Sequence, residues 1–399
     1  MKSKLLLLGI VVLLMSTINV YSQEEEKKSE NTYEFKMLKS IKTTPVKNQS
    51  RTGTCWSFAM TSFFEAEAIR KGKGEHILSP MFTVYNTYRY KANRFLRLQR
   101  YVVANFPDGG ALNDVPDMFK IYGMVPYDVY SGLEYGSEKH NHSEFSRVLN
   151  GYLKSISSKR SWDKRSKSYK EKKYVSPMWE KGFKSLLNTW LGTPPETFEY
   201  QGKTYTPESF AKMLDVNPDD YILLTSFNHF PFYSEFVLEV PDNWSQAKAM
   251  NVPLEEFRAI IKNSIEKGYS IGWASDMGDS FTGRQDDIWT FPKEDVSKMK
   301  KEEKKEFLKN PAAQRVVTQD FRQKGYDTFI TTDDHAMHIV GMAEDQLGNL
   351  FYYVKNSWGT DRKLEGYEYV SESFVLYKTL SIYVHKDVIP KSIRKKINR

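Results

Sequence analysis

The chain has one cysteine in 399 residues. One cysteine cannot form an intrachain bridge, so a disulfide scaffold is excluded. There is no HExxH sequence and no Cys/His ligand cluster, so neither a metal nor any other cofactor is implied. No internal repeat is visible. Long apolar runs are scarce. The one that stands out, "LLLLGIVVLLM" at residues 5–15, is too short to span a bilayer comfortably. An acidic excess is missing too: 58 Lys and Arg against 50 Asp and Glu leave a net charge of +8.

That one apolar run follows Lys2 and Lys4 and precedes "NVYSQ". A positive start, a short apolar core and small residues describe a signal peptide over 1–22, cut after Ser22. No cysteine is nearby, so a lipoprotein anchor is excluded. The expected product is exported, periplasmic or extracellular, with no transmembrane segment after signal removal. Hydrophobics at 40% and aromatics at 14% argue for a folded globule. Much of the positive charge sits in residues 154–173, with nine basic residues against two acidic. Such a run reads as a solvated insertion, with a polyanion or membrane-surface patch as the alternative. Aromatics are too sparse there to stack single-stranded bases, so no specific nucleic acid is expected.

Residues 23–40 read as a flexible lead and 45–53 as loop. "WSFAMTSFFEAEAIRK" (56–71) is apolar on most faces, lacks Pro and Gly, and stops at Gly72. That predicts a largely buried helix with Cys55 at its N-terminus. Residues 80–101 read as helix, 106–130 as a loop, a short helix and a turn marked by Gly123 and Pro126, and 253–277 as helix, glycine stop and strand. Residues 297–310 read as a charged helix or excursion. The last 70 residues alternate strand and turn. Helices first and strands last predict an α+β fold in two lobes.

A lone cysteine in an exported chain is a buried bystander, an intermolecular link or a working thiol. A thiol attacks as its thiolate, and a helix N-terminus favours that form. Gln49 offers an amide N–H for an oxyanion beside the backbone N–H of Cys55. A thiolate next wants an imidazolium. Of seven histidines, His76, His140, His142, His229 and His385 lie in loop-like or charged surroundings and read as exposed. His335 and His338 open an apolar strand. Three apart, they point to opposite faces, so at most one can meet Cys55. Asn356 can orient that imidazole, and Trp358 can cover the pair.

"QSRTGTCWSF", "DDHAMHIVG" and "KNSWG" resemble, in order and context, the motifs of papain-like cysteine peptidases. The resemblance implies Cys55 as nucleophile, Gln49 in the oxyanion hole and His335 as base and acid. It also implies Asn356 as orienter, Trp358 as shield, and Gly109 and Gly110 as backbone contacts for substrate. His338 stays a structural histidine. The fold implied is papain-like, α+β and two-lobed: a helical lobe carries the Cys and a β-rich lobe carries His and Asn.

Cysteine and histidine are 335 − 55 = 280 residues apart, against roughly 130–150 in papain-type enzymes. Thr52 stands where that signature has a disulfide cysteine. With few residues before Cys55 as well, the chain is similar to the bleomycin hydrolase, or aminopeptidase C, branch. The expected layout is a peptidase domain over 41–390, with insertions near 145–205 and 280–325, and a basic tail at 391–399. That branch typically forms hexamers whose C-terminal arm restricts cutting to N-termini, so a homo-oligomer is possible. The arm reads as absent or replaced by the short tail. The expectation is an exported cysteine peptidase acting on peptide or protein substrates, most simply an aminopeptidase. Alternatives are an endopeptidase with an open cleft, a transferase, or a non-catalytic polyanion-binding protein. Trp273, Ala274 and Asp276 are expected to line the pocket for the side chain before the cut.

Overall fold

The computed structural model describes residues 31–98, 106, 108–157 and 177–397. The leader, and the basic stretch from 158 onward to 173, lie outside the described residues. Strand β1 (Lys36–Ser40) precedes five helices: α1 (Cys55–Arg70), α2 (Pro80–Leu98), α3 (Asp114–Tyr122), α4 (Ser143–Ser157) and α5 (Met178–Leu191). A hairpin of β2 (Phe198–Tyr200) and β3 (Lys203–Tyr205) leads to α6 (Pro207–Met213). Then come β4 (Tyr221–Thr225), β5 (Glu235–Val237), β6 (Lys248–Asn251), α7 (Leu254–Glu266), β7 (Ile271–Ser275), β8 (Gly283–Gln285) and β9 (Ile288–Thr290). The chain continues through α8 (Lys301–Phe307), α9 (Gln319–Asp327), β10 (His335–Glu344), β11 (Leu350–Lys355), β12 (Tyr367–Ser371), α10 (Glu372–Lys378), β13 (Thr379–His385) and α11 (Lys391–Ile397). Thr32 to the C-terminus is one compact unit.

Helix α1 is the axis of the helical lobe. Every side chain from Trp56 to Ala68 is buried. A helix with no exposed face cannot be amphipathic; it is held by packing all round. It stops where Gly72 takes a φ of +73°, a conformation glycine adopts without Cβ strain. Two carboxylates inside it are matched. Glu65 receives Lys47 Nζ at 2.5 Å and Leu78 N at 2.7 Å, and Glu67 receives Arg70 and the Tyr221 hydroxyl. Phe145, Leu149, Leu153, Phe183, Leu187 and Leu191 close the core around α1 and α2. The described ends of the expected 145–205 insertion therefore belong to the lobe rather than project from it.

The second lobe is built on a sheet in the order β5-β6-β4-β13-β7-β10-β11-β12-β9-β8. Strand β10 is central. Its residues 335–339 pair antiparallel with β7, while residues 341–344 pair with β1. The lead expected to be flexible up to residue 40 therefore ends in a strand. The apolar sides of α7 and α10 cover this sheet, with Phe257, Ile261, Trp273, Ile339 and Val375 in its core. Arg322 is fully buried here and donates to the carbonyls of Ser226, Leu376 and Thr379. Burial alone brings its guanidinium down to about 9.

The expected basic tail is a docked helix through Ile397. Ile393 of α11 is buried and Lys396 pairs with Glu256 at 2.5 Å. Arg394 and Ile397 share a concavity with Arg70, at the end of α1 opposite Cys55. Sixteen helical residues put that end about 22 Å from the cysteine. Among the described residues, no helix is long and apolar enough to cross a membrane.

Candidate active site

Cys55 is the first residue of α1 and is half-buried. Gly53 just before it lets the chain approach Asp108 closely; a Cβ there would meet the Asp108 Cβ at 2.9 Å. Asp108 ties the two segments together. It accepts from Gly53 N at 2.9 Å and from the Tyr88 hydroxyl, and its own carbonyl takes Trp56 Nε1–H at 3.3 Å. This brings Gly109 and Gly110 beside the helix start. Gly110 lies against Trp56 and Asp114, and Gly109 lies against the Asp242 carboxylate, with no room for a Cβ at either. Lys91 donates to the Gly109 carbonyl.

Residues 48–49 are bridged to the other lobe by backbone. Asn48 pairs with Trp358, and Gln49 N donates to Ser357 O at 2.8 Å. The Gln49 amide is pinned at both ends: Nε2 donates to Thr52 O at 2.7 Å, and Oε1 accepts from the Ser357 hydroxyl at 2.5 Å. One Nε2–H remains to give.

His335 opens β10. Its Nε2 lies 2.8 Å from Asn356 Oδ1. That oxygen also accepts Ser357 N–H at 2.7 Å, which identifies it as the carbonyl side of the amide. Nε2 therefore carries the proton and Nδ1 is left basic. The Trp358 ring stacks on the imidazole, with centroids 4.8 Å apart and planes at 21°. Arg284 and Arg362 lie over Trp358 in turn, at 5.0 and 4.5 Å. His338 points the other way. Ser62, which receives Lys355 Nζ at 2.9 Å, is left to donate to His338 Nδ1 at 3.0 Å. Burial, with Lys355 and Lys47 nearby, holds His338 neutral.

Cys55 and His335 line one cleft of roughly 550 Å³ with Gly110, Ala274, Asp242 and Asp334. Larger concavities, of roughly 1310, 1070 and 800 Å³, lie elsewhere. Burial pushes the Cys55 thiol up to about 12. The Ala336 N–H pulls it back, the Asp242 carboxylate pushes it up, and the Trp56 N–H and Asp334 act likewise in opposite directions. Burial takes His335 down to about 4, against the Asn356 hydrogen bond, which raises it; Arg284 lowers it further. Burial thus disfavours the charged form of each group taken singly. Such a cleft can carry acyl transfer through sulfur.

The remaining expected site residues divide. Ala274 lines the cleft, across from Ala336 in the β7–β10 pairing. Trp273 is fully buried on the opposite face, its Nε1–H held by Thr379 at 2.7 Å, so it faces the core and not a substrate pocket. Asp276 is also withdrawn. It is buried, takes Gly278 N and Thr332 N, and pairs with the buried Lys378 at 3.3 Å. Of the histidines expected to be exposed, His76, His140, His142 and His385 are buried. His142 reaches Asp108 at 3.3 Å and His76 reaches the Lys73 carbonyl at 2.9 Å. Sequence reasoning passed over Ser357, Asp108 and Asp242. Ser357 was within reach, since it follows Asn356 directly. Among the described residues, no three His, Cys, Asp or Glu side chains are grouped to hold a metal ion.

A family model described as Peptidase C1-like family matches residues 8–399. The chain is 25% identical over 377 residues to Aminopeptidase C of Lactococcus lactis subsp. cremoris, covering 86% of this chain and 81% of that one. It is 24% identical over 409 residues to Cysteine proteinase 1, mitochondrial, of Saccharomyces cerevisiae (strain ATCC 204508 / S288c), covering 91% and 79%. Among solved structures it is similar to pepw from Lactobacillus rhamnosis HN001 (DR20), with a TM-score of 0.70 at 21% identity, covering 91% and 84%.

Proposed function

The chain belongs to the Peptidase C1-like family, has the papain-like α+β fold and is a cysteine-type peptidase, and from that premise we propose that it is an exported aminopeptidase working through Cys55, His335, Asn356 and Gln49. One observation carries the assignment of residues: the His335 Nε2–H to Asn356 Oδ1 hydrogen bond, in the cleft that Cys55 shares. It leaves Nδ1 to take the thiol proton. The thiolate sulfur bonds to the peptide carbonyl carbon. The oxygen, now negative, is met by the Cys55 N–H and the free Gln49 Nε2–H. His335 returns the proton to the leaving nitrogen as the C–N bond breaks. Water, deprotonated by His335, then cleaves the thioester and restores the thiol.

Two features support action at N-termini. The curated relatives include proteins called Aminopeptidase C. In this chain the Asp242 carboxylate packs on Gly109, where substrate backbone upstream of the cut would run. There it obstructs a longer chain and faces an α-ammonium. One observation favours the endopeptidase reading: α11 docks at the far end of α1, away from the cleft. The test compares matched fluorogenic peptides with free and blocked N-termini, on protein beginning at Gln23, with Cys55→Ala as control. Cleavage of free forms alone supports the aminopeptidase. Equal cleavage of blocked forms replaces it with an endopeptidase. Cleavage that survives Cys55→Ala defeats the assignment of the nucleophile. Export is tested by fractionating cells and reading the N-terminal residue, expected to be Gln23.

A further inference from the structure

Asn356 has a second amide atom, Nδ2, buried and with no partner at full hydrogen-bond geometry, though it lies close enough to Glu368 to act on its charge. Oε2 of Glu368 is buried and unpartnered as well. The two residues lie on the same face of neighbouring strands. Val354 pairs with Glu368 across β11 and β12, and Asn356 N bonds Gly366 O at 3.0 Å. Asn356 and Glu368 are thus diagonal neighbours, within reach of a glutamate side chain. The other Glu368 oxygen is taken: Arg284 donates to Oε1 at 2.7 Å. Burial raises the carboxyl, while Arg284 and then the Asn356 amide favour its charge.

Glu368 is buried and Arg284 half-buried; desolvation offsets much of the attraction in such a pair, so it is a weak source of stability. Its place behind the His335–Asn356 pair suggests a different use. We propose that Glu368 is a positioning residue for Asn356: with Arg284 holding Oε1, the free Oε2 receives the Asn356 Nδ2–H and fixes Oδ1 toward His335. An amide has no steric preference for one orientation over its flip. Reversed, Asn356 would aim N–H groups at both the His335 Nε2–H and the Ser357 N–H, donor against donor. A carboxylate accepts and does not donate, so it admits one orientation only. Asp287 and Arg362 complete the surroundings, with Asp287 at 3.4 Å from Arg284 and 3.3 Å from Arg362.

This inference rests on the Cys–His–Asn reading above. Glu368→Gln separates orientation from shape. Arg284 demands the glutamine oxygen, so the glutamine NH2 group faces Asn356 and favours the wrong flip. The experiment measures kcat and KM on a peptide the parent cleaves, for Glu368→Gln, Glu368→Met, Asn356→Ala and Asn356→Ala with Glu368→Gln. Glu368→Gln is expected to lower kcat about 10- to 100-fold, with KM within about twofold. In the Asn356→Ala background the same change is expected to alter kcat less than about twofold, because the group it acts through is gone. A purely structural role would cost the same in both backgrounds. Equal losses in both, or a Glu368→Gln enzyme within about twofold of the parent, overturn the proposal. If Glu368→Met does not fold, Glu368→Gln decides alone. If Asn356→Ala is itself silent, the Cys–His–Asn reading fails and takes this inference with it. If Asn356→Ala is costly and Glu368→Gln is not, this inference alone fails.

Discussion

Replacing Ser357 by alanine removes one hydroxyl, and the structure says what that does. The hydroxyl holds Gln49 Oε1 at 2.5 Å, and Gln49 is only 6% exposed. Without it the amide oxygen is buried and unpaired, which costs about 1–3 kcal/mol if the side chain stays in place. Gln49 escapes that cost by turning, and turning withdraws the N–H meant for the oxyanion. Losing such a donor outright costs about 100- to 1000-fold in kcat. The retained bond from Nε2 to Thr52 O, 2.7 Å long, limits the turn. Ser357→Ala should therefore fall short of that limit, at about 10- to 100-fold, with KM within about twofold because the oxyanion exists only beyond the ground state. Gln49→Ala sets the full loss, and the double variant should be no worse than Gln49→Ala. The assay is steady-state hydrolysis of a fluorogenic peptide, paired with iodoacetamide alkylation of Cys55. Alkylation makes no oxyanion, so its rate should hold within about twofold of the parent. An unchanged kcat in Ser357→Ala, or a slowed alkylation that tracks the loss, would refute the argument.

Two other perturbations have signs fixed by the site. The Asp242 carboxylate raises the Cys55 thiol. Asp242→Asn should therefore move the pH profile of Cys55 alkylation to lower pH, by about half a unit to one unit. The shift should be seen above about pH 6, where Asp242 is itself ionised, and a profile that stays put or moves up contradicts the placement. Lys378 is fully buried between Asp279 at 2.8 Å and Asp276 at 3.3 Å. Lys378→Met strands both carboxylates and should cost about 3–5 kcal/mol in urea unfolding; a loss under about 1 kcal/mol would show that the pair is solvated.

What could be read from sequence was local. Helix α1 announces itself because its packing residues are consecutive and Gly72 ends it. His335 and Asn356 are legible because each lies inside a short motif. Their surroundings are not. Trp273 and Ala274 are adjacent, and a strand sends neighbours to opposite faces, so which of them lines the pocket depends on a register the sequence does not state. Asp276 reads as a free acid until Lys378 is seen beside it. Glu368 looks like any strand glutamate, since its partner Arg284 lies 84 residues away. Strand β1 reads as a flexible lead because all five of its side chains are exposed and leave no buried pattern. It pairs in a ladder with β10, about 300 residues downstream. Helix α11 read as a tail because, among its charges, only two isoleucines dock.

Cys55 and the residues that arm it come from opposite ends of the chain, and that order has a consequence during synthesis. The thiol is made early; the imidazole is 280 residues behind it. At about 5–20 residues per second, roughly 14 to 56 s pass between them. Throughout that interval α1 has no β10 to face, Gln49 has no Ser357 to hold it, and the cleft has one wall. On the proposed mechanism, the nascent chain therefore cannot cut its neighbours while it is on the ribosome. Activity begins when the last third of the polypeptide docks, so the first detectable cleavage is also a clock for completion of the fold.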